Sequence, residues 1–168
     1  MVNDAGAEGA PYIAVVGPAE ADETAYALAV EVGGHLAQRG AVVVCGGLGG
    51  VMEAAALGAS QHGGSSLGLL PGSDRRAANQ HLTMAIATGL GELRNGLLVR
   101  CSDGVIAVGG SWGTLSEVAL AVRLGMTVVA LRGWSVIDDG VPVAGVIMAA
   151  TAVDAVDALF GRLGGTAL

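Results

Sequence analysis

The sequence predicts an α/β protein: one domain on a doubly wound parallel sheet, in a Rossmann-like three-layer α/β/α arrangement. Two observations predict it. Short continuous apolar runs alternate with helical patterns, which is typical of parallel strands covered by helices on both faces. Two strand-to-helix junctions are glycine-rich, as at the ligand-binding edge of such sheets. We expect residues 1–10 to be a disordered tail and residues 11–168 to be one Rossmann-like nucleotide-binding domain.

The first half of the chain predicts three strands and two helices. The first helix begins after Asp22, a suitable N-cap, and its apolar positions recur at helical spacing until Gly40. In order, we expect a strand at Tyr12–Val16, that helix, a strand at Ala41–Cys45, a helix at Val51–Gln61 and a strand at Ser66–Leu70.

The second half continues the alternation, with longer connections. Its central strand, Val105–Val108, leads into the second glycine-rich loop. The other expected elements are a polar loop over 73–80, helices over 81–88, 91–101, Leu115–Leu124 and Val153–Leu163, strands at Thr127–Leu131 and Val146–Ala149, and a loop over 133–142. Because the carboxyl ends of parallel strands share one edge, we expect both glycine loops there.

The composition excludes several functions. The 168 residues carry a net charge of −7, and the few basic residues are scattered, so we expect no nucleic-acid partner. All eight basic residues are arginine. Without lysine there can be neither a pyridoxal-phosphate Schiff base nor a Walker A loop. Mean hydropathy is high, +0.63, but no apolar run reaches the ~18 residues of a membrane span, so we expect no membrane partner.

Cysteine and histidine usage indicates neither a disulfide scaffold nor a metal site. Cys45 and Cys101 are too few for either, and we interpret them as buried thiols in a reducing cytoplasm. His35, His62 and His81 show no ligand spacing, so we expect no metal. The chain start lacks the pattern of a signal peptide, which also favours a cytoplasmic location.

The second glycine loop is the stronger candidate for ligand binding. From Gly109 to Thr114 its small residues allow close approach of a ligand, and the amides of the following helix would face it. Two interpretations of Glu117 remain open, since Thr114–Glu117 reads both as a capping box and as a catalytic carboxylate beside the loop. Trp112 could stack on a base or simply pack on its own domain.

Arg94 supports the ligand interpretation. It lies within an apolar helical stripe, and a buried guanidinium without an anion is costly. Its available partners are Glu117 and a ligand phosphate. The alternative is an arginine whose stem covers apolar surface while its head reaches water.

The first glycine loop, Gly46–Gly50, resembles a dinucleotide fingerprint but lacks the third glycine, where Met52 stands. An ordinary NAD site is therefore poorly supported. The loop and the helix start could still hold part of a phosphorylated ligand, or could be a tight turn alone. Glu53 could touch a ligand or only favour the helix dipole.

These motifs resemble the LOG family, Rossmann-like proteins often labelled "lysine decarboxylase-like", from about Val43 to Leu131. The family has a glycine-rich loop followed by Met, an Arg-Lys pair, and Pro-Gly-Gly-x-Gly-Thr-x-x-Glu. Here the corresponding segments are Gly46–Met52, Arg94-Asn95 and Gly109–Glu117.

The resemblance implies a nucleoside 5′-monophosphate (AMP-like) site, no required cofactor, and a homodimer formed largely by helices. In cytokinin-activating members, the residues at the positions of Arg94 and Glu117 carry hydrolysis of the base–ribose bond. The expected ligand-binding residues are Gly17, Gly46, Gly47, Gly49, Met52, Asn95, Gly110, Ser111, Trp112, Gly113 and Thr114.

Three departures qualify this function. Gly109 replaces the family's proline, Ser111 its second glycine and Asn95 its lysine. The variant loop is similar to the branch that contains the molybdenum cofactor carrier protein, which binds a phosphorylated pterin. The leading hypothesis is AMP binding with hydrolysis of the N-glycosidic bond, and the alternative is a non-catalytic carrier or sensor of a phosphorylated cofactor.

Overall fold

The structure, a computed structural model, describes residues 9–163. The predicted disordered tail over 1–10 falls mainly on residues 1–8, which lie outside the described residues, as do residues 164–168. Within the described part, no helix combines the length and apolar character needed to cross a membrane.

Nine strands and five α-helices make up the described chain. The strands are β1 (Tyr12–Val16), β2 (Val42–Cys45), β3 (Ser66–Leu70), β4 (Met84–Ala87), β5 (Gly104–Val108), β6 (Thr127–Leu131), β7 (Ile137–Asp138), β8 (Val141–Pro142) and β9 (Val146–Met148). The helices are α1 (Glu23–Gln38), α2 (Val51–Gln61), α3 (Arg94–Arg100), α4 (Trp112–Arg123) and α5 (Ala152–Leu163), with 3₁₀ turns at Arg75–Ala77 and Gly91–Leu93.

Seven strands form one parallel sheet in the order β4-β3-β2-β1-β5-β6-β9. The chain adds strands outward from β1 to β4, then crosses over to β5 and continues to the other edge. The strand order therefore reverses between β1 and β5, which is where ligands bind in open α/β sheets. The predicted Rossmann-like, doubly wound α/β/α fold is confirmed.

Two apolar layers bury the sheet. One face packs against α1, α2 and α5, with Ile13 and Leu36 in its core, and the other packs against α3 and α4, with Leu98 and Val105. The α1–α2 contact is especially close, because a side chain at Gly58 would overlap the backbone of α1. Small residues thus let a core without large aromatic side chains pack densely.

The predicted helix over 81–88 is wrong, because residues Met84–Ala87 form the edge strand β4. Its side chains alternate between exposed and half-buried, and it pairs in register with β3. Met, Ala and Ile favour a helix locally, but pairing with β3 outweighs that weak propensity. The predicted helix over 91–101 is shortened, since α3 begins only at Arg94, after a 3₁₀ turn.

The start of α4 also differs from the prediction. Ser111, not Thr114, is the N-cap: its hydroxyl accepts a hydrogen bond from the Thr114 amide at 3.2 Å. The capping-box interpretation of Glu117 is therefore wrong, because Glu117 lies more than a turn inside the helix. The helix begins three residues earlier than predicted because Ser111 is itself a preferred N-cap type.

The predicted loop over 133–142 contains a small hairpin of β7 and β8. Its two-residue turn is Asp139-Gly140, with φ of +49° and +81°. Asp-Gly with positive φ at both positions is the favoured chemistry for a type I′ hairpin turn. This signal was in the sequence, although the strands themselves are only two residues long.

Candidate functional site

The candidate site lies where β1, β2 and β5 end. Gly17 follows β1, Gly46–Gly50 follows β2, and Gly109–Ser111 follows β5, all at the carboxyl edge of the sheet. The first residue of α3, Arg94, reaches the β2 end of this edge, against Gly46. The predicted site residues from both glycine loops and from α3 therefore share one edge of the molecule.

Arg94 is buried, with 8% of its surface exposed. A side chain at position 46 would overlap its guanidinium, so Gly46 is the residue that admits the arginine. The Nε atom is buried without a hydrogen-bond partner. Burial lowers the pKa of Arg94, while the nearby Glu117 acts in the opposite direction. The snorkelling alternative is wrong, and a buried cation is left poorly compensated by protein groups.

The apolar stripe predicted around Arg94, which comprises Leu90, Leu97, Leu98 and Cys101, is only partly buried. Leu98, one turn further along α3, is buried with it, but Leu90 and Leu97 are exposed. Cys101 is exposed as well, so only Cys45 fits the interpretation of buried thiols. Arg94 and Leu98 therefore face into the molecule, whereas the other members of the stripe face away.

Glu117 is the buried carboxyl of the site, with 7% of its surface exposed. Burial raises its pKa to about 7, although the positive charge of Arg94 acts to lower it. Among the described residues, no ion pair within 4.0 Å joins the two side chains. Near neutral pH the carboxyl can therefore be either protonated or ionised.

Cys45, at the end of β2, completes the surroundings of Arg94. It is fully buried, and burial raises the pKa of its thiol to about 11. It stays protonated near neutral pH, so it supplies neither a thiolate nucleophile nor a counter-charge to Arg94.

The start of α4 presents hydroxyls and amides. The Ser111 and Thr114 hydroxyls lie 2.9 Å apart, and Thr114 is buried while Trp112 and Gly113 are exposed. The amides of a first helical turn have no intrahelical partner and carry the positive end of the dipole. The side-chain amide of Asn95 lies beside Gly113, 3.9 Å from where a side chain added there would begin. An anion could bind between α3 and α4.

The start of α2 is less open. The Val51 amide already donates to the Pro18 carbonyl at 3.1 Å, and a side chain at Gly50 would overlap that carbonyl. Gly17 is needed because a side chain there would overlap Val51. Packing against the β1–α1 turn thus explains why positions 17 and 50 are glycine without a ligand. For Gly50 this agrees with the tight-turn alternative for the first glycine loop.

The remaining positions of the first loop are mixed. Gly47 has a φ of +77° and lies against β3, and Met52 is buried in the molecule. Gly49 has space above it, with nothing nearer than 3.5 Å to an added side chain. Asn79 braces the loop by donating to the carbonyl of Leu48 at 3.0 Å. The sequence had offered Asn79 only as part of a polar loop.

Trp134 is a residue of this site that sequence reasoning missed. Its indole covers Gly110, where any side chain would overlap it, so Gly110 is small for the sake of a tryptophan. Trp112 packs edge-on against it, with ring centroids 5.0 Å apart and planes at 81°. Trp112 is nevertheless 80% exposed, which leaves its ring face open beside the loop. An unassigned loop tryptophan in a chain with only two was the available signal.

Comparison with known proteins finds a matching family model and several similar solved structures. A family model described as the SLOG cluster4 family matches residues 10–156. The molybdenum cofactor binding protein of the phototrophic bacterium Rippkaea orientalis is 32% identical, with a TM-score of 0.84 over 93% of this chain and 99% of that chain. The Moco carrier protein of Chlamydomonas reinhardtii is 33% identical, with a TM-score of 0.80 over 92% and 98%.

A protein of Archaeoglobus fulgidus, described as uncharacterized, is 43% identical over 120 residues, which are 71% of this chain and 79% of that one. DNA processing protein A of Helicobacter pylori, at 22% identity and a TM-score of 0.60, shares the fold alone.

Proposed function

Because this chain belongs to the SLOG cluster4 family, we propose that it binds a phosphorylated small molecule between α3 and α4, as the carrier of a phosphorylated pterin cofactor. The resemblance to LOG-type proteins and to their cofactor-carrier branch is confirmed. The names of the two similar solved proteins favour the carrier hypothesis over AMP hydrolysis, which was the leading hypothesis from sequence.

The unpartnered burial of Arg94 is the observation that carries the proposal. A buried guanidinium lacking a hydrogen bond at Nε is costly to the free protein, and an anionic ligand would compensate it. The helix dipole and hydroxyls of Ser111 and Thr114 favour an anion at the neighbouring position. Asn95 offers a neutral amide donor where the family's lysine would add a second charge.

The residues present suit such a phosphorylated cofactor. The guanidinium of Arg94 and the amides of the first α4 turn are donors for a phosphate, and Glu117, in its protonated form, can donate a further hydrogen bond. The exposed ring face of Trp112 can stack on a planar heterocycle such as a pterin. A carrier needs these groups to bind and release its cargo, and no covalent step is required of them.

A second candidate, hydrolysis of AMP, is favoured by one observation. The pKa of Glu117, about 7, is where a general acid or base works best at neutral pH. In that function Glu117 would stabilise the positive charge that develops on the sugar, and Arg94 would orient it.

Calorimetric titration with a phosphorylated pterin, its dephosphorylated counterpart and AMP tests both functions. For a carrier, the phosphorylated pterin binds, removal of the phosphate weakens binding by more than tenfold, and no adenine appears on prolonged incubation with AMP. Release of adenine at catalytic rates would replace the carrier function by hydrolysis. If none of the three ligands binds at millimolar concentration, the proposal is wrong.

We also propose that the protein is a homodimer. Leu93, the last residue of the 3₁₀ turn before α3, and Leu97, in α3, are 79% and 38% exposed. We infer that these leucines belong to an apolar surface that a second copy of the chain covers symmetrically.

A further inference from the structure

A partly open apolar cavity lies beside the candidate site but apart from its charged residues. Its volume is about 340 Å³, and it lies between α4, the β5–β6–β9 part of the sheet and the segment 133–145. Neither Arg94, Asn95 nor Glu117 lines it. This volume is within the range of small-molecule sites, which begins at roughly 300 Å³.

The segment 133–145, which connects β6 to β9, forms the outer wall of the cavity. It is folded as the β7–β8 hairpin and closed by a hydrogen bond from the Val143 amide to the Val136 carbonyl at 2.8 Å. Positive-φ residues lie at its two ends: Arg132, directly before it, at +54°, and Gly145, its last residue, at +111°. The wall is thus a self-contained flap that stands over the sheet instead of filling the space beneath it.

The chemistry of the lining favours a ligand that is mainly aliphatic. The walls are aliphatic, with Val118, Val122, Ala130, Val146 and Met148 among them. At the glycine-loop end, the Ser111 and Thr114 hydroxyls are hydrogen-bonded to each other. A pterin or a nucleobase would leave its own donors and acceptors unpaired here, at a cost of several kcal/mol.

The shape is elongated and has one unpaired charge at an end. The lining runs along α4 from Ser111 to Arg123, roughly 18 Å at 1.5 Å per residue. Arg123 takes part in no ion pair among the residues that the structure describes. Its guanidinium is planar and matches a carboxylate through two parallel hydrogen bonds.

We propose that this cavity is a second binding site, which takes a medium-chain aliphatic carboxylate. The hydrocarbon chain lies along α4 beneath the flap, and the carboxylate pairs with Arg123 at the open end. This site shares no charged residue with the phosphorylated-ligand site, although Gly110, Ser111 and Thr114 at the start of α4 border both. Trp134 borders the cavity and also covers Gly110, so it is placed to report occupancy.

Tryptophan emission provides the test. Trp112→Phe leaves Trp134 as the sole tryptophan, since the chain has only two. Titration of this variant with decanoate, below its micellar concentration, should give a saturable change in Trp134 emission. Hexanoate should bind at least tenfold more weakly, because fewer methylenes are buried.

Two variants, made in the same Trp112→Phe background, test the location. Arg123→Ala should weaken decanoate binding roughly tenfold, by loss of a charge-assisted pair. Its matched control is Arg100→Ala, which removes the corresponding exposed arginine from the last turn of α3 and should leave binding unchanged. Ala119→Leu fills the cavity from an exposed position on α4, where we expect the larger side chain to leave folding intact. It should abolish binding.

Decanol and inorganic phosphate complete the experiment. Decanol should bind more weakly than decanoate, and its binding should be insensitive to Arg123→Ala. Phosphate at about 10 mM, enough to occupy even a weak phosphate site, should leave decanoate binding unchanged. The proposal is overturned by an emission change that does not saturate, by equal affinity for hexanoate and decanoate, or by full binding to Ala119→Leu. Equal losses in Arg123→Ala and Arg100→Ala would also overturn the role of Arg123.

Discussion

At the scale of single residues, the site holds a cation that the protein itself satisfies only in part. Arg94 is buried against Gly46 with its Nε unbonded, and its carboxyl neighbour Glu117 lies beyond ion-pair distance. Such arrangements reduce the stability of the free protein and increase its affinity for an anion. Two predictions follow from this balance, one for each member of the pair.

For Arg94, replacement should separate binding from stability. Arg94→Gln removes a poorly compensated buried charge, so we expect the free energy of unfolding to change by less than about 1 kcal/mol or to rise. Binding of the phosphorylated ligand should fall by roughly 10- to 100-fold, because a charge-assisted hydrogen bond is lost.

Denaturant unfolding and calorimetry measure the two effects of Arg94→Gln. Arg100→Gln, at the exposed end of the same helix, is the control and should leave both unchanged. A destabilisation of 3 kcal/mol or more, the usual cost of breaking a buried ion pair, would show that Arg94 is structural.

For Glu117, the prediction concerns pH. Its pKa is raised by burial from 4.5 to about 7, so the folded protein binds more protons than the unfolded chain between these values. The Glu117 contribution to stability is therefore present below pH 4.5 and is lost as the pH rises to 7. Glu117→Gln cannot ionise, so its stability relative to wild type should increase between pH 5 and pH 8, by up to roughly 3 kcal/mol.

Denaturant unfolding of wild type and Glu117→Gln at pH 5, 6, 7 and 8 measures this difference. A difference that is constant with pH would mean that Glu117 ionises in the folded protein as easily as in the unfolded chain.

Sequence reasoning identified most of these residues but not their geometry. Arg94 stands out as a charge within an apolar stripe, and both loops stand out by their glycines between strand and helix, whereas spacing left the role of Glu117 open. The reasons for the glycines could not be read from the chain: Gly46 admits Arg94 and Gly110 admits Trp134, contacts between residues far apart in sequence. The same loops thus pointed to the site while their glycines serve packing around it.

At the scale of elements, the loop between β5 and α4 contacts both the candidate site and the flap. Ser111 starts α4, and Trp134 covers Gly110 from the other side. Local signals correctly predicted the strands and helices of the central sheet, since buried strands read as continuous apolar runs. They failed for β4, an edge strand of mixed exposure, whose identity depends on pairing with β3.

Substitution of two glycines at the start of α4 should have opposite effects on stability. Gly110→Ala places a methyl group within overlap of the Trp134 indole, so we expect a loss of roughly 1–3 kcal/mol and a change in tryptophan emission. Gly113→Ala, in the first turn of α4, meets nothing nearer than 3.8 Å and should be neutral or stabilising, since alanine favours a helix.

Thermal unfolding and emission spectra of both glycine variants provide the measurement, with Gly113→Ala as the matched control. Equal stability of the two variants would mean that Trp134 does not rest on Gly110 in solution.

At the scale of the whole molecule, the reversal of strand order between β1 and β5 positions the site. The two faces of the sheet are covered unequally, which leaves apolar residues exposed. Three helices bury one face, while α3 and α4 bury the other. The high mean hydropathy of +0.63 is thus explained by a sheet buried on both sides together with exposed apolar residues on α3 and on the flap. A net charge of −7 with no lysine still allows an anionic ligand to bind, because the attraction comes from one buried arginine and a helix start rather than from the overall field.

Assembly is the last prediction, and it depends on α3. If Leu93 and Leu97 lie in a dimer interface, Leu93→Glu puts a charge in each half of a symmetric contact and should convert the protein to a monomer at micromolar concentration. Light scattering coupled to size exclusion measures the mass. The control is Leu124→Glu, at the carboxyl end of α4 and 40% exposed, which should remain dimeric. Because Leu93 directly precedes Arg94, dissociation should also weaken ligand binding. A wild-type protein of monomer mass would contradict the proposal that a second copy of the chain covers this surface.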